Sequence, residues 1–198
     1  MEAGLVQPGQ WVKRTTTLES HLNTASATRG GCPINPNPLV SVVVPAYNAE
    51  RTITRAIQSA LHQDYQLVEV IVADDCSTDA TREVVRQLQD PRIAFLPSSV
   101  NCGAASTRNR GIRHATGTYV AFLDADDEWL PGKLSRQVHL MEQHPNACVA
   151  TCDCLFFDGS GLPKETFFQQ RIPCDGENAW QALLAYNFVQ TSDRKSVV

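Results

Sequence analysis

Tyr119-Val120-Ala121-Phe122-Leu123-Asp124-Ala125-Asp126-Asp127 is the stretch on which the reading of this chain turns. Its first five residues, four of them apolar, predict a short strand buried on both faces, as in a parallel sheet. Three carboxylates then arrive within four positions at its carboxyl end. Two like charges ~4 Å apart repel by roughly 4 kcal/mol at an effective dielectric near 20, so the cluster needs solvent, raised pKa values or a cation. A hard divalent ion such as Mg²⁺ takes oxygen ligands, often one or two carboxylates completed by substrate phosphates. In open α/β sheets ligands sit beyond the strand carboxyl ends, where these aspartates fall. The alternative is an acidic loop leading into a helix, with Asp127 or Glu128 favouring the positive helix N-terminus.

The chain has 198 residues, 42% hydrophobic and 19% charged, which fits one globular α/β domain. A net charge of −4 and the lack of a long basic run argue against a nucleic-acid partner. No apolar run approaches the ~18 residues of a membrane span, and no charged-then-apolar signal segment opens the chain. The seven cysteines show no C-x-x-C pair. Cys148, Cys152 and Cys154 lack ligand spacing and read as buried small residues rather than a zinc site. A soluble, reducing, cytoplasmic setting follows, compatible with peripheral association at the inner face of a membrane.

Residues 1–38 are rich in Thr, Ser, Asn, Gly and Pro without sustained period, and read as a disordered or loosely attached leader. Order begins at Leu39. The β-branched run Val40–Val44 predicts a strand stopped by Pro45 and the turn formers near Asn48. Residues 51–62 predict a helix, with Ile53, Ile57, Ala60 and Leu61 on one face. A second strand over 68–73 runs into Asp74-Asp75-Cys76-Ser77-Thr78-Asp79. Ser77 or Thr78 is expected to cap the next helix, which carries Val84, Val85 and Leu88. Further strands are expected at 92–96, 119–123 and 147–151. Further helices are expected over 103–115 and from Pro131 through Leu134, Val138 and Met141 to Pro145. Strand and helix alternate throughout, which predicts a mainly parallel α/β sandwich.

Neither G-x-G-x-x-G nor G-x-x-x-x-G-K-[ST] is present, which demotes dinucleotide dehydrogenases and P-loop NTPases. The first two strands instead carry Pro45-Ala46-Tyr47-Asn48 and Asp74-Asp75 at their ends. Tyr47 could stack on a base or anchor its loop. Asp75 could accept the ring N–H of a uracil or serve a turn. On the third helix Ala105, Arg108, Asn109 and Ile112 share one face, so a long basic side chain lies among apolar ones. A half-buried Arg108 needs an anion: a ligand, or one of the strand-end aspartates. Arg110 and Arg113 are expected to be solvated.

Four segments occur in order: Val42-Val43-Val44-Pro45-Ala46-Tyr47-Asn48, Val72-Ala73-Asp74-Asp75-Cys76-Ser77-Thr78-Asp79, Asn101-Cys102-Gly103 through Arg108-Asn109-Arg110-Gly111, and Gly117-Thr118-Tyr119 through Asp124-Ala125-Asp126-Asp127. The series resembles the family 2 glycosyltransferases, with their GT-A nucleotide-diphospho-sugar transferase fold, a Rossmann-like three-layer sandwich. The resemblance covers about 39–192, and Cys76 departs from it by standing where glycine is usual. It implies that Pro45, Ala46, Tyr47, Asn48, Asp75, Arg108 and Asp124 bind the nucleotide. It also implies that Asp124 and Asp126, as a D-x-D motif, hold Mg²⁺ or Mn²⁺ against the diphosphate, and that the reaction inverts configuration with a carboxylate base.

That base is not identifiable. Asn187–Ser192 resembles a segment that precedes the family's acidic base motif, and Asp153, Asp158, Glu165, Asp175 and Glu177 stand outside that context. Residues 39–192 are therefore expected to be a nucleotide-sugar-binding domain incomplete at its C-terminus. Residues 193–198 are expected to be a non-biological tail, because the codons GAT-CGG-AAG-AGC-GTC-GTG that would encode them match a sequencing adapter. The leading expectation is sugar transfer from a nucleotide-diphosphate donor, UDP-sugar favoured, to an unknown glycan, lipid or protein acceptor. The competing readings are a donor-binding fragment without turnover and a nucleotidyltransferase, the latter weakened by the absence of a Gly-rich basic loop after the first strand.

Overall fold

A parallel four-stranded sheet, ordered β3-β2-β1-β4, organises the chain. In the computed structural model the described residues are 37–147 and 149–152, with the backbone of 155–157, 163–166 and 196–197. β1 (Val40–Ala46) pairs with β2 (Val68–Asp74) along its full length and with β4 (Tyr119–Phe122) from Val40 to Val43. β2 takes β3 (Ile93–Leu96) on its other side. Valine-rich strands suit this position because branched side chains pack well on a pleated surface covered on both faces.

Pro45 lies inside β1 rather than ending it. Val43 accepts the Leu123 N–H from the β4 side, and Ala46 accepts the Asp75 N–H from the β2 side. Alternation thus turns the position of Pro45 toward β4, whose pairing has already ended at Val43. The missing proline donor costs no ladder bond there.

One face of the sheet presents Val40, Val42, Val44, Val68, Val70 and Val72 to α1 (Ile53–Leu61) and to Val85 of α2 (Thr81–Gln87). Leu134 and Val138 of α4 (Lys133–Gln143) complete that core with Leu123 and Trp129. The stripe on α1 is as expected, with Ala56 buried as well. The buried amide of Gln63 fastens the layer. It donates to Ser59 O and Leu130 O at 3.0 Å and accepts the Leu134 N–H at 3.2 Å.

The other face takes α3 (Ala104–His114), which packs through two small residues, Thr107 and Gly111. A Cβ on Gly111 would lie 2.4 Å from Val43 Cγ1, so only glycine permits this approach. This corrects the expected face, since Ala105 and Asn109 are exposed and Ile112 is 40% exposed. A helix docked this closely on β1 and β2 leaves the outer face of β4 open. Val120 and Phe122 are 39% and 43% exposed, so β4 is not buried on both faces among the described residues.

Two further expectations are corrected. Neither Ser77 nor Thr78 caps α2. The N-cap position is Ala80, which has no capping side chain, and Asp79 before it accepts the Thr81 N–H at 3.0 Å together with the Thr81 hydroxyl. Residues 147 and 149–151 form no strand. The chain instead forms a separate antiparallel sheet, β6-β5-β7, from β5 (Leu155–Phe157), β6 (Pro163–Thr166) and β7 (Ser196–Val197). The expected leader up to residue 36 lies outside the described residues, as do Cys148 and Cys154, while Cys152 is half-buried.

Candidate functional site

A cavity of about 540 Å³ opens beyond the carboxyl ends of β1, β2 and β4, against the N-terminal half of α3. Pro45, Ala46, Tyr47, Asn48, Asp75, Arg108, Asp124 and Asp126 all line it. The strands deliver all of these but Arg108, which comes from α3, to one place because parallel neighbours end at the same edge of the sheet.

Asp124 leaves β4 after Leu123 and is nearly buried, whereas Asp126 is exposed. Between them the Asp127 N–H closes a turn on Asp124 O at 3.1 Å. Asp127 is buried and does not line the cavity. Glu128 pairs with Arg55 at 3.0 Å, and α4 starts only at Lys133, so neither acid serves a helix N-terminus. The acidic run is thus divided, and two of its carboxylates face the cavity.

One guanidinium nitrogen of Arg108 donates to both oxygens of Asp124, at 2.8 and 3.1 Å. Burial pushes the Asp124 carboxyl up, Arg108 pulls it back, and the charges of Asp127 and Asp126 push it up again, to about 6. Such a carboxyl lacks enough positive charge nearby to be comfortably ionised. Among the described residues no three His, Cys, Asp or Glu side chains gather to hold a metal ion by themselves. Two hard oxygen donors with surplus negative charge fit a divalent cation whose remaining ligands come from a bound diphosphate.

Arg110 is not solvated. It crosses to the sheet and donates to Asp74 O and, at 3.3 Å, to Leu96 O, tying α3 to the ends of β2 and β3. Arg113 is exposed, as expected.

Asp75 is only 4% exposed. Its two oxygens accept the Cys102 and Gly103 N–H groups, each at 2.8 Å, and so hold the entrance to α3. Burial pushes this carboxyl up. The bonds from Cys102 and Gly103, the nearby Thr107 hydroxyl and the charge of Arg110 outweigh burial, leaving it below the usual carboxylate range. Each oxygen keeps a lone pair for another donor.

Asn48 joins the two strand-end loops. Its N–H donates to Ser77 Oγ at 2.9 Å, and its side-chain oxygen accepts the Thr78 N–H at 2.8 Å. Cys76, next to Ser77, holds a left-handed φ of 66°, a conformation that favours glycine. Tyr47 is half exposed over the cavity.

Thr107, like Thr52 and Asn101, is a polar lining residue that sequence reasoning did not assign to the site. It lies one helical turn from Gly103 and one from Gly111, so a stripe of small residues was the available signal. Of the carboxylates left as candidate bases, Asp153, Asp158, Asp175 and Glu177 lie outside the described residues, and Glu165 is placed on β6 by its backbone alone.

The parallel sheet and the acidic cavity at its carboxyl edge define a Rossmann-like α/β protein of the ligand-binding kind. A family model described as glycosyl transferase family 2 matches residues 41–187. The chain belongs to that family. The glucosyltransferase WfaP of Escherichia coli, named for UDP-Glc and α-D-GlcNAc-diphosphoundecaprenol, is 43% identical over 104 residues, covering 52% of this chain and 41% of that protein. A GalNAc(5)-diNAcBac-PP-undecaprenol β-1,3-glucosyltransferase of Campylobacter jejuni is 44% identical over 143 residues, covering 65% and 45%. The chain thus spans less than half the length of these curated relatives. Among solved structures, a Pyrobaculum calidifontis mannosyltransferase in complex with GDP-Man and Mn²⁺ is 33% identical over 53% of this chain and 32% of that one, with a TM-score of 0.50.

Proposed function

We propose that this chain is the donor-binding part of a metal-dependent, inverting glycosyltransferase that takes a sugar from a nucleotide diphosphate, a UDP-sugar being favoured. The observation that carries the reading is the single cavity in which base-, phosphate- and metal-type groups converge. Tyr47 offers a ring face, and Asp75 offers a charged acceptor for a base N–H. Arg108 offers a cation within reach of both Asp124 and a diphosphate. Asp124 and Asp126 would hold Mg²⁺ or Mn²⁺, which when bound supplies Lewis-acid stabilisation of the departing diphosphate. The names of the Escherichia coli and Campylobacter relatives support a lipid-linked glycan as acceptor, met at a membrane surface. No helix among the described residues is long and apolar enough to cross a membrane.

A second reading is donor binding without turnover by this 198-residue chain. It is favoured by the carboxylates lining the cavity, Asp75, Asp124 and Asp126, all of which are taken by the donor side in the reading above. Incubation with labelled UDP-sugar, Mn²⁺ and an undecaprenyl-diphosphate-linked acceptor separates transfer from binding alone. Metal-dependent UDP binding should be lost in Asp126→Ala and kept in Glu83→Ala. Equal losses in both would refute the metal assignment.

A further inference from the structure

The Thr107 side chain is 2% exposed, lines the cavity and has a buried hydroxyl oxygen with no hydrogen-bond partner. It approaches the Asp75 carboxylate closely enough to help hold it ionised, without closing a hydrogen bond to it. A buried hydroxyl left unpaired is destabilising, so its retention at a cavity wall points to a ligand that completes it. The ligand must also suit Asp75, which is acceptor-only and whose oxygens are each half used by the Cys102 and Gly103 N–H groups. An acceptor beside a rotatable hydroxyl donor matches a ring N–H flanked by a carbonyl.

We infer that Thr107 is a base-reading residue: its hydroxyl donates to a carbonyl of a uracil-type base whose adjacent ring N–H is accepted by Asp75. The inference rests on the proposed nucleotide site and adds to it a second hydrogen bond, supplied from α3 rather than from the strand ends. The same pose presents a ring nitrogen lone pair to Asp75 when the base is cytosine, so Asp75 excludes that base while Thr107 strengthens the accepted one.

The test uses calorimetric titration of UDP, 2-thio-UDP and 4-thio-UDP, in the presence of Mn²⁺, into the full chain and its Thr107→Val, Thr107→Ser and Asp75→Asn variants. Sulfur is a weak acceptor, so one thio-analogue should bind the parent protein about tenfold more weakly than UDP. Thr107→Val should bind UDP about tenfold more weakly and should no longer distinguish UDP from that analogue. Thr107→Ser should retain the parent behaviour. Because the hydroxyl closes no hydrogen bond in the ligand-free protein and only helps to hold Asp75 ionised, Thr107→Val should lower the ligand-free Tm by less than Asp75→Asn does. A ligand-free Tm lowered more than in Asp75→Asn, an unchanged UDP affinity, or a thio penalty that persists in the valine variant would overturn the inference. If Asp75→Asn weakens UDP binding while Thr107→Val does not, the nucleotide site stands and the role of Thr107 falls. If the parent chain binds no UDP, both fall.

Discussion

Arg108 and Asp124 form an ion pair in which a single guanidinium nitrogen serves both carboxylate oxygens, and the two side chains are 21% and 11% exposed. Arg108, which lines the cavity, is therefore also the counter-charge for Asp124, the first carboxylate at the end of β4. A divalent ion or a diphosphate, if bound as proposed, would compete for one partner of this pair. The pair neutralises Asp124 incompletely, since its carboxyl remains near 6.

The raised carboxyl makes stability depend on pH. Between about pH 4 and about pH 6 the folded protein keeps a proton on Asp124 that the unfolded chain has released. Stability from this group is therefore greatest at low pH, falls as pH rises through that window, and is level above it. Two pKa units correspond to about 3 kcal/mol. Asp75, held below its ordinary range, contributes the opposite slope at lower pH. Urea unfolding of the metal-free protein at pH 4.5 and 7.5 should thus show a fall that Asp124→Asn removes, and an identical fall in the variant would contradict the assignment.

Asp75 carries two loads, so its substitutions should separate. Asp75→Ala strips the Cys102 and Gly103 N–H groups of their acceptor and should destabilise the ligand-free protein by about 1.5–3 kcal/mol. Asp75→Asn keeps one acceptor oxygen and should fold closer to the parent, while losing the preference for UDP over CDP. Denaturation and nucleotide titration of both variants check this.

Gly111→Ala places a methyl group where Val43 Cγ1 would be 2.4 Å away. The helix must move off the sheet, at a cost of about 1–3 kcal/mol. Arg108 moves with the helix, so the cavity should suffer too. Gly103→Ala meets no atom within 4 Å but strains a φ of 81°, which makes it a control for backbone cost without steric contact. Comparison of their Tm values and UDP affinities tests whether contact at Gly111 positions the site.

Cys76→Gly should stabilise the protein by up to about 1 kcal/mol. The left-handed φ of 66° costs an L-residue roughly 1–2 kcal/mol, offset in part by the greater unfolded-state freedom of glycine. Thermal unfolding with thiols kept reduced measures the change, and a lower Tm would show that the Cys76 side chain contributes packing that outweighs the strain.

The sequence by itself determined the four parallel strands, the helices between them and the edge at which they converge. It did not determine the antiparallel sheet that stands in place of a strand over 147–151. Runs such as Val42-Val43-Val44 and the period of Ile53, Ile57, Ala60 and Leu61 are local signals, and burial followed them. Parallel strands joined by helices must end on one side, so residues at successive strand ends were bound to meet there. What only tertiary structure decided was which side of each element would be used. Arg110 could be read as solvated because nothing along the chain shows that Asp74 O and Leu96 O lie within its reach. The face of α3 was misread because periodicity favours large apolar residues, whereas the close approach to Val43 selects Thr107 and Gly111. Val120 and Phe122 alternate as a buried strand would, yet their exposure depends on what packs over β4, a property of the layer and not of the strand. Periodicity records the local pitch of the chain, while separation between layers is set by side chains far apart in sequence, and it was that separation which brought Thr107 to the cavity beside Asp75.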